Sequence, residues 1–244
     1  MINPKIDRFI IALFVIVFIL TVLSFSMGSV ITTKKIVNAT IVIENRTFIY
    51  ERHPRGVVPM FFFNPSVERR VFMGNVSAQI TMIIYINPLS NASTEFYNTV
   101  FPDIKRDFID TGVVRYYHKN LITEEDIRSN SMNVAYAVWM ECINAISPDK
   151  YWTFYDKLFK IKPNNTREIL GELGINDKDF EYCISHNYFE DVKDDIQETE
   201  EFGINIIPTI YLGIKGRDNM VLLGIVSYDR LRREIKFASS RIGV

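Results

Sequence analysis

Cysteine and histidine are scarce in this 244-residue chain, and their scarcity excludes several kinds of site. The two cysteines, Cys142 and Cys183, are far apart, and the three histidines are scattered. Zinc sites need closely spaced pairs of such ligands, and dithiol enzymes of the usual kind need a C-x-x-C motif. The sequence therefore predicts no metal ion and no cofactor.

The chain also lacks an excess of either basic or acidic residues, and it lacks glycine-rich loop motifs. The 28 basic residues nearly balance the 29 acidic ones, so no basic face is available for nucleic acid. The motifs of dinucleotide-binding folds, P-loops and serine-hydrolase elbows are absent. With 48% apolar residues, the chain can form one sizeable packed domain.

One long uncharged run stands out near the beginning of the chain. Residues 9–31 contain no charge, and a helix of that length spans a hydrocarbon core of about 30 Å. We expect a single transmembrane anchor there, preceded by a cytoplasmic stretch at 1–8. A cleaved signal peptide is the alternative, because small residues at 24–29 allow cleavage.

Five N-x-[ST] sequons lie on the C-terminal side of this run, which indicates a body outside the cytoplasm. They begin at Asn38, Asn45, Asn75, Asn91 and Asn164. We expect a glycoprotein held in the cell membrane by a single pass. A composition rich in Asn and Thr is the alternative explanation.

The rest of the chain has the pattern of an α/β domain behind a short extension. Residues 32–73 form the membrane-proximal extension, with two short strands flanking Asn45, and 74–244 form the domain. Apolar runs predict strands near 78–87 and 113–121, with a helix between them that Ser90 caps. A helical region follows at about 124–201, then a strand hairpin and a last helix. The acidic segment "DDIQETEE", at 194–201, is predicted to be a solvated helix face.

Several stretches in this order carry a family resemblance. They include "MGNVSAQITMIIYIN", "DFIDTGVVRYYHKNL", "AVWMECINAISPDKYWTFYDKLF", "FEYCISHNYFEDVKDDIQETEEFGINIIPTIYLG" and "VLLGIVSYDRLRREI". Together they resemble the thioredoxin fold of the DsbA-like thiol–disulfide oxidoreductases, over roughly Met73 to Ile242. The resemblance implies a thioredoxin-like fold with a helical insertion.

The chemistry of that family is where this chain departs from it. By the resemblance, Ser90 and Ser93 occupy the positions of the two active-site cysteines, and Ile84 that of a buried glutamate. A serine hydroxyl cannot form a disulfide, so dithiol activity at this place is lost. Use of Ser90 as a hydrolase nucleophile is disfavoured, since it would need His118 within reach as a base.

The resemblance also implies a groove beside a cis-proline. Leu89, Ile207, Pro208 and Thr209 would line it and present backbone to an extended peptide. The alternative is that Pro208 serves the fold alone. A glycan on Asn91 would obstruct this groove.

Cysteines placed as Cys142 and Cys183 look able to pair in the family, and a location outside the cytoplasm favours a bond. The resemblance therefore implies a structural disulfide between two helices of the insertion. Two buried thiols acting as small apolar side chains are the alternative.

These features favour a redox-inactive, membrane-anchored binding or structural module, not an enzyme. Its expected partners are the membrane and other subunits of a membrane complex. Two alternatives stay open: a thiol–disulfide oxidoreductase that uses Cys142 or Cys183, and a chaperone-like protein that holds unfolded chains in the cis-proline groove.

Overall fold

The computed structural model describes residues 38–43, 46–51, 65–162, 166–186, 189–214 and 219–242. The predicted anchor at 9–31 and the stretch at 1–8 lie outside these ranges, as do two of the sequon asparagines, Asn45 and Asn164. Within the described helices, none combines the length and the apolar character that a membrane crossing requires.

Seven strands and nine α-helices make up the described residues. The strands are β1 (Asn38–Ile43), β2 (Arg46–Glu51), β3 (Phe72–Met73), β4 (Ile80–Ile86), β5 (Val114–Asn120), β6 (Thr209–Ile214) and β7 (Asn219–Leu223). The helices are α1 (Asn91–Thr99), α2 (Phe101–Ile104), α3 (Glu124–Arg128), α4 (Met132–Ile146), α5 (Tyr151–Ile161), α6 (Arg167–Leu173), α7 (Asp177–Ser185), α8 (Phe189–Glu201) and α9 (Tyr228–Ile242).

Five strands form one mixed sheet in the order β3-β5-β4-β6-β7. β4 runs parallel to β5, and the other neighbouring pairs are antiparallel. Six of the seven β4 residues are buried, because helices cover both faces of the sheet. This explains why β4 is a continuous apolar run rather than an alternating one. β1 and β2 form the predicted antiparallel pair.

The helix predicted after β4 is interrupted. α1 ends at Thr99, α2 is four residues long, and a π-helical turn follows at Lys105–Ile109. Pro102 lacks the N–H that a continuous helix would use, which accounts for the break. One face of this region is buried all the same, because apolar residues recur every fourth position at Phe96, Val100, Ile104 and Phe108.

The insertion packs around α4, which is buried without interruption from Val134 to Ile143. Cys142 on α4 bonds Cys183 on α7, with 2.15 Å between the sulfurs and 5.7 Å between the Cα atoms. The predicted disulfide is therefore confirmed, and the alternative of two free thiols is wrong. Both residues are almost fully buried.

Candidate functional site

The end of β4 leads into a tight turn that both substituted serines help to hold. Ser90 Oγ accepts a hydrogen bond from Ser93 N at 3.3 Å, so Ser90 is the predicted N-cap of α1. Ser90 N donates to Asn87 Oδ1 at 2.8 Å, and Asn87 N donates to Ser93 Oγ at 3.3 Å. Ser93 is fully buried. Both hydroxyl oxygens therefore accept backbone N–H groups of the turn.

His118, the one candidate base for a serine nucleophile, contacts other groups. Its Nδ1 lies 3.0 Å from the Tyr151 hydroxyl, and its ring packs against Tyr155 at a centroid distance of 4.6 Å. Within the described residues its Nε2 has no hydrogen-bond partner. This arrangement agrees with the prediction that Ser90 does not act as a hydrolase nucleophile. Ile84, predicted to be apolar core, is fully buried.

The peptide bond between Ile207 and Pro208 is cis, as the resemblance implies. Pro208 O accepts a hydrogen bond from Gly224 N at 2.8 Å, and Thr209 pairs with Tyr85 across β6 and β4. The ladder thus places the cis-proline loop beside the end of β4. We name this region the cis-proline edge and define it as residues 87–90, 204–209 and 223–225.

Apolar side chains are exposed around the cis-proline edge. They are Leu89 at 36%, Ile206 at 42%, Leu223 at 50% and Ile225 at 46% of their maximal exposure. Ile207 is half-buried, whereas Pro208 and Thr209 are buried. Two of the four predicted groove residues, Leu89 and Ile207, therefore present side-chain surface.

A buried polar network beneath this edge was missed from the sequence. Lys119 Nζ donates to Glu198 Oε1 at 2.6 Å, and the Tyr85 hydroxyl also donates to that oxygen. Lys119 is only 3% exposed. Burial and the neighbouring Glu198 carboxylate raise the pKa of Tyr85 well above its ordinary value. A lysine inside an apolar strand was the available signal, because a buried ammonium needs a counter-ion.

The same network continues to the insertion through Arg70. Its guanidinium binds Glu141 on α4 and, at 2.8 Å, Asp195 on α8. Asp195 Oδ2 also accepts from Asn120 N at 3.0 Å. Asp195 is completely buried, so the prediction of a solvated helix face at 194–201 is wrong at this residue. The reason is that its partner, Arg70, lies 125 positions away in sequence, where no local pattern reveals it.

Burial shifts the pKa values of two groups in this region in opposite directions. Desolvation lowers the pKa of His118 from its ordinary 6.5 to about 3. Desolvation, reinforced by Asp195 against the opposing effect of Arg70, raises the pKa of Glu141 from 4.5 to about 7. His118 thus makes stability fall as the pH drops below 6.5, and Glu141 makes it fall as the pH rises above 4.5.

Between pH 4.5 and 6.5 these slopes oppose each other, so we expect nearly constant stability in the unmodified protein. In Glu141→Gln only the pH dependence caused by His118 remains. The free energy of unfolding should then rise with pH by up to about 1.4 kcal/mol per pH unit. His118→Gln should give the reverse slope. Urea unfolding at three pH values across this window measures both. Equal slopes in the two variants would contradict the assignment.

Ser90→Ala tests the cap separately. We expect the free energy of unfolding to fall by about 1 kcal/mol, because Ser93 N loses its acceptor at the start of α1. Ser90→Asp should retain most of the stability, since its carboxylate also caps a helix. Thermal or urea unfolding of the three proteins measures this difference. A Ser90→Ala protein as stable as the original would exclude a capping role.

A family model described as "Thioredoxin" matches residues 66–228. The chain belongs to the thioredoxin family. Within it the chain is DsbA-like, as its relatives indicate. It is 24% identical to Disulfide bond formation protein D of Bacillus subtilis over 183 residues, which cover 70% of this chain and 78% of that protein.

Solved structures show the same fold. The oxidised BdbD of Bacillus subtilis superposes with a TM-score of 0.58 at 24% identity, covering 71% of this chain and 95% of its own. The alpha-DsbA1 protein of Wolbachia pipientis gives 0.61 at 17% identity, covering 72% and 94%. The thioredoxin-like fold predicted for this chain is confirmed.

The prediction that this thioredoxin-family chain is not an enzyme is wrong. A named disulfide-forming protein is among its relatives, and its own two cysteines form a disulfide. The prediction considered only the start of α1, where Ser90 and Ser93 stand at the positions of the family's cysteines. Loss of C-x-x-C removes a dithiol from the start of α1, but the chain keeps a cystine elsewhere. The relatives favour the oxidoreductase alternative over a redox-inactive accessory module.

Proposed function

We propose that this protein is a thiol–disulfide oxidoreductase whose redox couple is Cys142–Cys183. The observation that carries the proposal is the bond itself, which joins the only two cysteines of the chain. Family membership supports it, as does the similarity to a disulfide bond formation protein. Ser90 and Ser93 have no part in this exchange, because oxygen cannot replace sulfur in it.

The exchange has two steps. A thiolate of a reduced client attacks one sulfur of the Cys142–Cys183 bond, forms a mixed disulfide and releases the other cysteine as a thiolate. A second client thiolate then attacks the client sulfur of the mixed disulfide and releases the remaining cysteine. The client loses two electrons and two protons and gains a disulfide, while Cys142 and Cys183 become thiols.

Burial governs how fast this exchange occurs. Cys142 is completely buried and Cys183 nearly so, in contact with the apolar core of the insertion. An attacking thiolate reaches the sulfurs only when α7 separates from α4. α7 has nine residues and packs mainly through Phe180, Cys183 and Ile184, so local opening of this helix is the gating step.

A thiol-transfer assay tests the proposal. The oxidised protein is mixed with a peptide that carries two free thiols, quenched in acid and alkylated with a mass tag. We expect two tags on the protein for every disulfide formed in the peptide. Ser90→Ala/Ser93→Ala should react like the original, and Cys142→Ala/Cys183→Ala should not react. A native protein that stays oxidised, while the same protein in urea is reduced, would refute the proposal.

Holding of unfolded polypeptide at the cis-proline edge is a second candidate function. The exposed apolar side chains that surround Pro208 favour it, because such patches on a protein surface mark contact sites. An extended peptide placed there would add apolar contacts at Leu89 and Ile206.

Suppression of client aggregation tests this second function. Leu89→Ser/Ile206→Ser should weaken it strongly, and Val76→Ser serves as the control. Val76 is even more exposed, but it precedes the opposite end of β4. Equal loss in both variants would indicate nonspecific adhesion rather than an edge site.

A location outside the cytoplasm, with the anchor at 9–31 and companion membrane subunits, remains part of the proposal. The uncharged run and the sequons support it, and Asn75 and Asn91 are exposed. Glycopeptide mapping of protein taken from its own membrane tests it. A glycan on Asn91 would stand at the cis-proline edge and would exclude polypeptide holding there.

A further inference from the structure

Glu198 connects three separate parts of the protein. Its Oε2 accepts a hydrogen bond from Ser66 N at 3.0 Å, and its Oε1 accepts from Lys119 Nζ and the Tyr85 hydroxyl. Ser66 lies in the segment 65–71, which leads into β3. One carboxylate on α8 thus joins this segment to β4 and β5.

One of these contacts, the hydrogen bond from Tyr85, leads directly to the cis-proline edge. Tyr85 lies beside Thr209, the residue that follows cis-Pro208, in the ladder between β4 and β6. Tyr85 also packs in a small apolar cluster with Ile204 and, at its margin, Ile207. The hydroxyl of Tyr85 therefore anchors a ring that supports the loop at 204–208 from beneath.

α8 supports the same loop through the backbone. Ile204 N donates to Thr199 O at 2.7 Å immediately after the helix ends, and Gly203 adopts φ 67°. The loop thus starts at the end of the helix that carries Glu198. Asp195, one turn earlier, binds Arg70 and Asn120 instead of Tyr85.

We propose that Glu198 is a positioning residue for the cis-proline edge. Through the Tyr85 hydroxyl and the end of α8 it holds the loop 204–208 in the shape that receives an extended polypeptide. This role rests on the second candidate function, the holding of polypeptide at that edge. It is separate from the exchange at Cys142–Cys183.

The variants Tyr85→Phe and Glu198→Ala test whether Glu198 positions the cis-proline edge or only stabilises the whole domain. Tyr85→Phe removes one hydroxyl and leaves the pair Lys119–Glu198 intact, so this variant should fold. Asp194→Ala is the matched control, because Asp194 is an acidic residue of the same helix and is 63% exposed. Each variant is measured by amide hydrogen exchange and by binding of a fluorescent, apolar, unstructured peptide.

Relative to core amides of the same protein, we expect exchange at residues 203–210 to accelerate about fivefold in Tyr85→Phe, as loss of one hydrogen bond predicts. The acceleration in Glu198→Ala should be at least as large, because that change also removes the acceptor of Lys119 and of Ser66 N. Peptide affinity should fall by about the same factor. The double variant should match Glu198→Ala, because that change already removes the contact between Tyr85 and Glu198. Asp194→Ala and the thiol-transfer rate should be unchanged.

Unchanged exchange at 203–210 in both variants would overturn the role, whatever happens to overall stability. Equal acceleration in Asp194→Ala would do the same. If the original protein binds no peptide but the loop still loosens in Tyr85→Phe, the positioning by Glu198 stands and the holding function fails. Loss of thiol transfer alone would bear only on the redox couple.

Discussion

Replacing Cys142 and Cys183 together by alanine is expected to lower the free energy of unfolding by about 4 kcal/mol. The bond spans 41 positions, and the chain-entropy model assigns about that value to a loop of this size. The residues are buried, so loss of the two sulfur atoms from the core adds to the effect. Urea unfolding, with and without reductant, measures it.

The control for this prediction is the unmodified protein in reductant. Its stability should approach that of the double alanine variant, because both lack the cross-link. Hydrogen exchange should show that α7 loosens first, since its tie to α4 is lost. A difference below about 1 kcal/mol between oxidised and reduced protein would indicate that the unfolded state gains little freedom on reduction.

Replacing Arg70 by methionine is expected to lower the free energy of unfolding by about 3–5 kcal/mol at neutral pH. The guanidinium is 9% exposed and neutralises Glu141 and Asp195, which are 2% and 0% exposed. Removing Arg70 leaves the buried Asp195 carboxylate with only the more distant Lys119 ammonium, 3.6 Å away, to offset its charge. Urea unfolding at pH 7 measures the loss.

Arg69→Met is the matched control for Arg70→Met. Arg69 is adjacent, 75% exposed, and lies 2.9 Å from Asp191, so its loss should cost at most about 1 kcal/mol. Adding Glu141→Gln to Arg70→Met should change stability little at pH 7, because loss of Arg70 raises the pKa of Glu141 further and leaves that carboxyl uncharged. Similar losses in the two arginine variants would show that burial of Arg70 is unimportant.

These two sets of contacts have a common structural consequence. The disulfide ties α4 to α7, and Arg70 ties α4 to α8, which ends at the cis-proline loop. The disulfide therefore ties two helices of the insertion to each other, whereas the Arg70 cluster also reaches the sheet, because Asn120 N at the end of β5 donates to Asp195. We expect the proposed opening of α7 to leave the Arg70 contacts in place, because Arg70 binds α4 and α8.

Local sequence determined much of this architecture. A continuous apolar run predicted β4, because a strand covered on both faces is apolar throughout. Ser90 was predicted as a cap from its side-chain chemistry and its place before a helical pattern. Similarity of several short stretches then implied the cis bond at Pro208 and the pairing of Cys142 with Cys183.

Other features depend on contacts between distant segments. Arg70, Lys119, Glu141 and Glu198 come from four parts of the chain, and no local pattern distinguishes a buried charge with a partner from a solvated one. The acidic face of α8 was therefore misjudged, and Glu198 was missed. The sequence alone determined that no C-x-x-C begins α1. Only the tertiary structure decided that α4 and α7 bring the two cysteines within bonding distance, because packing of those helices sets that distance.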